Sequence, residues 1–507
     1  MTALIIHGHF YQPPRENPWT GEVERELSAA PYYDWNERIH DECYAPNAFA
    51  RLRDDLGERI VSNYANISFN FGPTLLSWLE KHRPATYEKI LVADRDSGQR
   101  RSGHGNGIAQ AYGHAILPLC NERDQLTQVR WGLEDFRYRF DRDAESIWLP
   151  ETACNDEVLS LLIEQRLRFV ILAPDQARRM RSSPDSEWID VSKGRVDTSR
   201  PYKYTNKNHH EGSLAIFFYH GPLARGIAFE RLLTSSRGLV DRFIQISQSG
   251  PLVNVATDGE TYGHHFKFGD LCLAHALEIE AKEARFHITN YGEYLDEHPP
   301  EWEVEIDNGP DGRGTSWSCA HGTGRWSRHC GCHTGGEPNW NQQWRGPLRR
   351  AFEFLRDEAA GHFESVGAEL LKNPWDARND FVQLLLNALQ PPEAFLQRHA
   401  RGSLSPTEQK RALTLLEIQH NALLMFTSCG WFFSDLGGLE TVQVMRYAAR
   451  VIELQSRLGL PTPTDAFLEL LADAKSNIAA KGNGADIFLR FAIPENLLSL
   501  FTSNATQ

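Results

Sequence analysis

ESIWLPETACNDEVLSLLIEQR, residues 145–166, changes character halfway along. Its first part is a short apolar run that stops at Pro150 and delivers a carboxylate, Glu151. Its second part opens with Asn155, Asp156 and Glu157 and continues with apolar residues at helical spacing. Asn is a favoured helix cap and acids are favoured in a first turn, so the segment reads as strand, polar turn, helix. LVNVATDGETYG, residues 252–263, repeats the first half of that pattern, with an apolar run ending in Asp258 before Gly259.

Working outward, five further β-rich runs join these two: ALIIHGHF at 3–10, ANISFNFG at 65–72, SGHGNGIAQ at 102–110, RFVILAP at 168–174 and SLAIFFYH at 213–220. Apolar runs of this length fit strands covered on both faces of a parallel sheet. Helical spacing lies between several of them, at 73–82, 155–166 and 229–247. About seven such strand repeats, with helices between several of them, predict an α/β fold with a (β/α)7 barrel-like arrangement. Chemistry in such folds gathers at the carboxyl ends of the strands. His9, His104, Glu151, His220 and Asp258 all stand at or just beyond the expected strand ends.

From residue 265 the pattern changes. A helical run at 268–284 is followed by a Gly-, Trp- and Cys-rich stretch at 308–346, and then by helical spacing at 347–393 and 408–457. Ser405, Pro406 and Glu408 have the spacing of a capping box with proline in the first turn. The expected organisation is a catalytic barrel over 1–300, an insertion or lid over 301–346 near the cleft, and a mainly helical region over 347–507.

The bulk properties exclude several classes. The 507 residues suffice for a large core. The net charge of -14, with 53 Lys and Arg dispersed among 67 acids, argues against a nucleic acid partner. No run reaches the roughly 18 apolar residues of a membrane span, and no secretory leader opens the chain, so a cytoplasmic protein is expected. Eight cysteines are too sparse for a disulfide scaffold. The oligomeric state is left open.

HGHFYQPP at 7–14, GNGIAQAYGHAILPL at 105–119, SIWLPETA at 146–153, ATDGETYGHH at 256–265 and RFHITNYGEYL at 285–295 form an ordered set. Together they resemble the α-glucan-active glycoside hydrolases of family 57. SWSCAHGTGRWSRHCGCHTGG and LLEIQHNALLMFTSCGWFFSD (415–435) resemble a helical extension associated with one branch of that family. The resemblance implies a (β/α)7 barrel and retaining cleavage or transfer at α-glucosidic bonds of an α-glucan or oligosaccharide. It puts Glu151 at the nucleophile and Asp258 at the proton donor. The departures are the Phe10-Tyr11 insertion and the cysteine-rich segment.

Retaining chemistry needs one ionised carboxylate and one protonated carboxyl group, and Glu151 and Asp258 fit those two roles. Around them, Trp148 is expected to stack on or pack beside a sugar. His9 is expected near the scissile sugar with His7 above it, only one of the two facing the cleft directly. His104, His220 and Glu260 complete the barrel's contribution to substrate binding. The 317–345 segment supplies His321, Arg325 and Trp326 as further sugar contacts, along with Trp317, Trp340 and Trp344. No cofactor or metal is expected. Cys319, Cys330 and Cys332 with His321, His329 or His333 have C-x-C spacing, poorer evidence for zinc than paired C-x-x-C knuckles. Two other classes compete. HGH with Asp258 and His104 or His220 would suit a metal-dependent carbohydrate deacetylase or an α-mannosidase-like enzyme, and the tryptophan-rich segment would suit a non-catalytic glucan-binding protein.

Overall fold

The computed structural model describes residues 1–54, 57–205, 212–387 and 391–502. The chain forms two compact units, each assembled from separate stretches. The first comprises Met1–Gln12, Arg25–Ala111 and Asp135–Trp317; the second comprises Pro13–Glu24, Tyr112–Glu134 and Ser318–Gln507. This division differs from the expected boundaries. The stretch 301–346 is not a unit of its own: Trp302–Ile306 is a strand of the first unit, and everything from Ser318 belongs to the second.

In the first unit, each of the seven expected runs carries a strand. These are β1 (Ala3–Phe10), β2 (Ser68–Phe71), β3 (Ala109–Gln110), β4 (Ile147–Trp148), β5 (Phe169–Leu172), β6 (Ser213–Phe218) and β7 (Leu252–Asp258). Parallel pairing joins β7 to β1, β1 to β2, β3 to β4 and β5 to β6. Single parallel bridges, Phe69 to Gly107 and Ser146 to Phe169, continue the order from β2 to β3 and from β4 to β5. The ring is completed where the His220 N–H donates to the Asn254 carbonyl at 2.9 Å, linking the end of β6 to β7. A seven-stranded parallel barrel results.

Strand side chains alternate faces with period two, and the barrel interior follows that rule. Ala3 and Ile5 of β1, Phe169 and Ile171 of β5, Ala215 and Phe217 of β6, and Leu252 and Ala256 of β7 share one packed cluster with Trp148 and Tyr291. Burying a large apolar side chain of this kind stabilises the fold by about 1.5–3 kcal/mol. Continuing the same periodicity carries His7 and His9 on β1 and Asp258 on β7 to the inner face.

The connecting helices include α1 (Pro73–His82), α2 (Pro84–Arg100), α3 (Asp156–Glu164), α4 (Gly221–Phe229) and α5 (Ser236–Ser247). Asn155 caps α3 as expected, its side chain accepting from the Val158 N–H at 3.0 Å, a bond worth about 1 kcal/mol. The helical stretch expected over 229–247 is interrupted. Arg231 takes a left-handed conformation, φ 60°, and Ser235 then caps α5 by accepting from the Gly238 N–H. On the outside, β6 pairs antiparallel with Pro201–Thr205. The sheet then continues through Trp302–Ile306 and Ala177–Arg181 to Ile189–Asp190.

The second unit is mainly helical. Its longest helices are α6 (Arg345–Leu370), α7 (Pro406–Leu424) and α8 (Leu439–Arg457), with α7 packed against both of the others. The Ser405–Glu408 capping box forms at the start of α7, with the Ser405 N–H donating to the Glu408 carboxylate at 2.8 Å. The two early stretches belong here because they make structural bonds within this unit. Ala115 bridges Thr427, Asp124 pairs with the buried Arg378 at 2.8 Å, and Gln443 donates to the Glu16 carbonyl. Among the described residues, no helix is long and apolar enough to cross a membrane.

Candidate active site

The site grows from the carboxyl ends of β1, β2, β4 and β7. His9 and Asp258 are register partners on adjacent parallel strands, so their side chains leave the barrel interior side by side. Glu151 follows β4 by three residues, on a turn where Glu151 and Thr152 both have positive φ, 59° and 50°. Non-glycine residues in that region cost of order 1–3 kcal/mol each and persist where surrounding bonds over-determine them. Two such bonds are present. The backbone N–H of Trp317 donates to the Glu151 carbonyl at 3.0 Å, and the Trp317 indole donates to its carboxylate at 3.0 Å.

Asp258 is accessible to solvent, yet protein encloses it closely enough to strip much of its hydration. That burial, reinforced by the charges of Glu260 and Glu151, holds its carboxyl well above the usual carboxylate range. Glu260 stands in the turn Gly259–Thr261 and is itself buried, which pushes its pKa up to about 7. One of its oxygens accepts from the Tyr44 hydroxyl at 2.7 Å and from the Tyr11 N–H at 2.9 Å. Three acids therefore share one electrostatic environment, with a protonated carboxyl group favoured at Asp258.

His7 and His9 both face inward, which corrects the expectation that only one does. Residues two apart on a strand share a face. His7 lies one step deeper than His9, not above it, because β1 runs towards Phe10. Trp148 lies against both rings, with centroids 4.9 Å from each. Asn70 organises the pair. Its carbonyl oxygen accepts from His7 Nε2 at 3.0 Å, while its amide donates to His9 Nδ1 at 3.0 Å and to Gln110 at 2.8 Å. The Ser68 hydroxyl donates to His7 Nδ1 at 3.0 Å. This network puts the His9 proton on Nε2. Burial lowers both histidines to about 3, so both are neutral at ordinary pH.

Two other expected histidines stand elsewhere. The strand expected over 102–110 begins only at Ala109, because the glycine-rich run before it does not extend, and His104 falls at the barrel's opposite end. There it bonds Glu145 and Asp296 at 3.0 Å each, and Glu145 precedes β4. His220 does follow β6, but its Nδ1 accepts from the Leu223 N–H at 3.0 Å and caps α4. Burial and the charge of Arg242 lower its pKa. Among the described residues, neither gathers with His7, His9 and Asp258 into a cluster that could hold a metal ion, as a metal-dependent deacetylase or mannosidase-like centre would require.

His321, Arg325 and Trp326 belong to the second unit, and the burial of Trp326 runs against its expected sugar contact. Trp326 is 0% exposed and has no face to offer a ligand. Arg325 lies 4.3 Å above the Phe432 ring and donates to the Phe432 carbonyl. His321 groups with Cys319, Cys330 and Cys332.

Trp317, expected among the aromatic sugar contacts, has a further role, and other residues of the barrel site carried no clear mark in the sequence. Trp317 packs edge-on to Trp148 at 5.2 Å as well as holding Glu151. Tyr219, at the end of β6, lies 6.3 Å from Trp317, and burial together with Asp175 and Asp258 raises its pKa. Asn70 and Gln110 are ordinary amides until the barrel closes. Only the period-two inner face of β2 pointed to Asn70.

Residues 3–307 match the sequence family described as Glycosyl hydrolase family 57, and residues 340–500 match a Domain of unknown function (DUF3536). A curated relative, Alpha-amylase 1 of Dictyoglomus thermophilum, is 25% identical over 108 residues; the match covers 21% of this chain and 15% of that protein. Among solved structures, an exo-type maltose-forming amylase from Pyrococcus sp. ST04 superposes with a TM-score of 0.65. It is 15% identical, and the match covers 99% of this chain and 94% of that one. A branching enzyme from Pyrococcus horikoshii gives a TM-score of 0.55 at 14% identity, covering 96% of each chain. At those identities the structural likeness establishes a shared fold. With the family match spanning the whole barrel, the chain belongs to glycosyl hydrolase family 57.

Proposed function

We propose that the chain is a retaining glycoside hydrolase or transglycosylase of α-glucans, working through a covalent glycosyl-enzyme. Glu151 is the nucleophile and Asp258 the acid/base. Asp258 protonates the departing glycosidic oxygen while Glu151 attacks the anomeric carbon; the Asp258 carboxylate then takes a proton from water or an acceptor sugar as the glycosyl ester is released. The observation that supports this division best is the unequal environment of the two acids. Asp258 is held protonated by burial and neighbouring charge, whereas Glu151 accepts a hydrogen bond from the Trp317 indole.

His9 Nε2 and Glu260 bind hydroxyls of the sugar beside the scissile bond, and His7 positions His9 through Asn70. Trp148 Nε1 and Gln110 Nε2 are buried donors with no hydrogen-bond partner among the described residues. Such a donor costs about 1–3 kcal/mol if left unpaired, and sugar hydroxyls would satisfy both. None of the eight cysteines forms a disulfide, in keeping with a reducing, cytoplasmic setting. Water or a second sugar as acceptor distinguishes hydrolysis from transfer on the same intermediate.

The test is product stereochemistry on a panel of α-glucans, combined with azide rescue. Products of the wild type should keep the α configuration. Azide should rescue Glu151→Ala to give β-glucosyl azide, and Asp258→Ala to give α-glucosyl azide. Inverted wild-type products, or exchanged azide stereochemistry, would overturn the mechanism or its assignment.

A further inference from the structure

Between Ser318 and Trp344 the chain has one short helical turn, Gly324–Trp326, and no strand. Four potential ligands nevertheless converge there. The side-chain donor atoms of Cys319, His321, Cys330 and Cys332 all lie within 4.8 Å of one another. Sulfur to sulfur, Cys319 is 3.9 Å from Cys330 and 3.7 Å from Cys332; the Cys332 sulfur is 3.5 Å from His321 Nδ1. A tetrahedral zinc ion with Zn–S near 2.3 Å and Zn–N near 2.05 Å requires edges of about 3.8 Å between sulfurs and about 3.6 Å between sulfur and nitrogen. The three measured separations match those edges. Disulfide bonding would need sulfurs at about 2.05 Å and would leave one of the three thiols over.

We propose that Cys319, His321, Cys330 and Cys332 form a structural Zn2+ site. Four protein ligands complete a tetrahedron and leave no open position for substrate, which is the pattern of a structural site rather than a catalytic one. The backbone supports the convergence. Gly331, between the last two cysteines, has φ 83° with nothing within 4 Å of where a Cβ would stand, so backbone conformation rather than space is what requires glycine. That left-handed residue turns the chain so that Cys330 and Cys332 close on the same centre.

Charge is accommodated as well. Zn2+ with three thiolates and a neutral imidazole carries one net negative charge, and binding releases the thiol protons to solvent. The wholly buried Arg345 supplies the compensating cation, donating to the Cys332 carbonyl at 2.7 Å and to the carbonyls of Phe432 and Phe433. Arg328 donates to the His321 carbonyl at 3.2 Å. The ligand-bearing segment is thus tied to the start of α6 and to the 429–435 region of its own unit. Zinc would supply the cohesion that a glycine-rich segment without regular structure lacks.

The test uses the full chain, purified under reducing conditions without chelator, with metal content read by elemental mass spectrometry. About one zinc per chain is expected, and X-ray absorption should show three sulfur neighbours and one nitrogen at the usual distances. Cys330→Ser and Cys332→Ser should each lose most of the zinc. Should those variants fail to fold, titrating native wild-type thiols with a mercurial supplies the readout, because zinc should appear in solution as the thiols react. Failure of the wild type to hold zinc after reconstitution with Zn2+, iron in its place, zinc content unchanged in Cys332→Ser, or release unlinked to thiol modification would each overturn the assignment.

Discussion

The Trp317 indole donates to the Glu151 carboxylate at 3.0 Å while its backbone N–H donates to the Glu151 carbonyl at the same distance. One residue therefore holds both ends of a glutamate whose backbone is left-handed. A hydrogen bond to a charged group contributes about 1.5–3 kcal/mol. Trp317→Phe keeps the backbone bond and the packing on Trp148 but removes the indole donor. Its formation of the glycosyl-enzyme should slow by roughly ten- to a hundredfold, while the fold, read by circular dichroism, stays intact. Burst kinetics with an activated aryl glycoside measure that step directly; an unchanged burst rate would remove Trp317 from the machinery.

Glu260 offers a way to test the electrostatic coupling. Its negative charge is one of the causes that raise Asp258, second to burial. Its bonds from Tyr44 and Tyr11 fall on one oxygen, which the Gln side chain can supply equally well. In Glu260→Gln the charge disappears, so the Asp258 carboxyl should release its proton more readily. The basic limb of kcat/KM should then move to lower pH. A limb that stays in place would show that Glu260 does not set the acidity of the proton donor.

Burial of the two histidines predicts an acid sensitivity. His7 and His9 have folded-state values near 3, far below the ordinary 6.5. Between those values the unfolded chain binds protons that the folded chain refuses, so the stability these residues contribute is present above about pH 6.5 and is lost as pH falls towards 3. His7→Gln cannot titrate. Denaturant unfolding at a series of pH values should show a shallower loss of stability on the acid side for that variant than for the wild type. Parallel curves would mean that the His7 site admits a proton without cost.

The barrel was legible because its strands are short apolar runs, and period two then carried Asp258 and His9 to the interior. What misled was geometry at the margins. His104 needed only a strand start seven residues later than expected to move to the other end of the barrel. His220 has the right position for a ligand, but its ring is taken up by a helix cap. Tyr112–Glu134 and Pro13–Glu24 gave no local sign of belonging to the helical unit, because that membership rests on contacts with residues hundreds of positions away. Asn70 escaped notice for a related reason, and Trp317 was expected only as an aromatic sugar contact: an amide and an indole acquire their specific bonding roles only from the groups they meet. The cysteine cluster has a spacing outside familiar knuckles, and only three dimensions bring its donors together.

Asp258→Asn should separate catalysis from stability. The wild-type carboxyl holds its proton more tightly in the folded chain than in the unfolded one, where the ordinary value near 3.8 applies. Stability from this group is therefore fully present below that value and is lost as pH rises through the elevated folded pKa, where a carboxylate must exist in an enclosed, negatively charged setting. Asparagine has no such dependence. Relative to wild type, Asp258→Asn should gain stability as pH rises and show no gain at strongly acid pH. Catalysis should move the other way: loss of the general acid costs about 10²–10⁴-fold on a natural glucan, and much less in glycosylation by an aryl glycoside whose leaving group needs no proton. The checking measurements are unfolding curves across pH and pre-steady-state rates on both substrate types. Equal losses on the two substrates would deny Asp258 the proton-donor role, and a stability difference independent of pH would deny the elevated acidity constant on which that role depends.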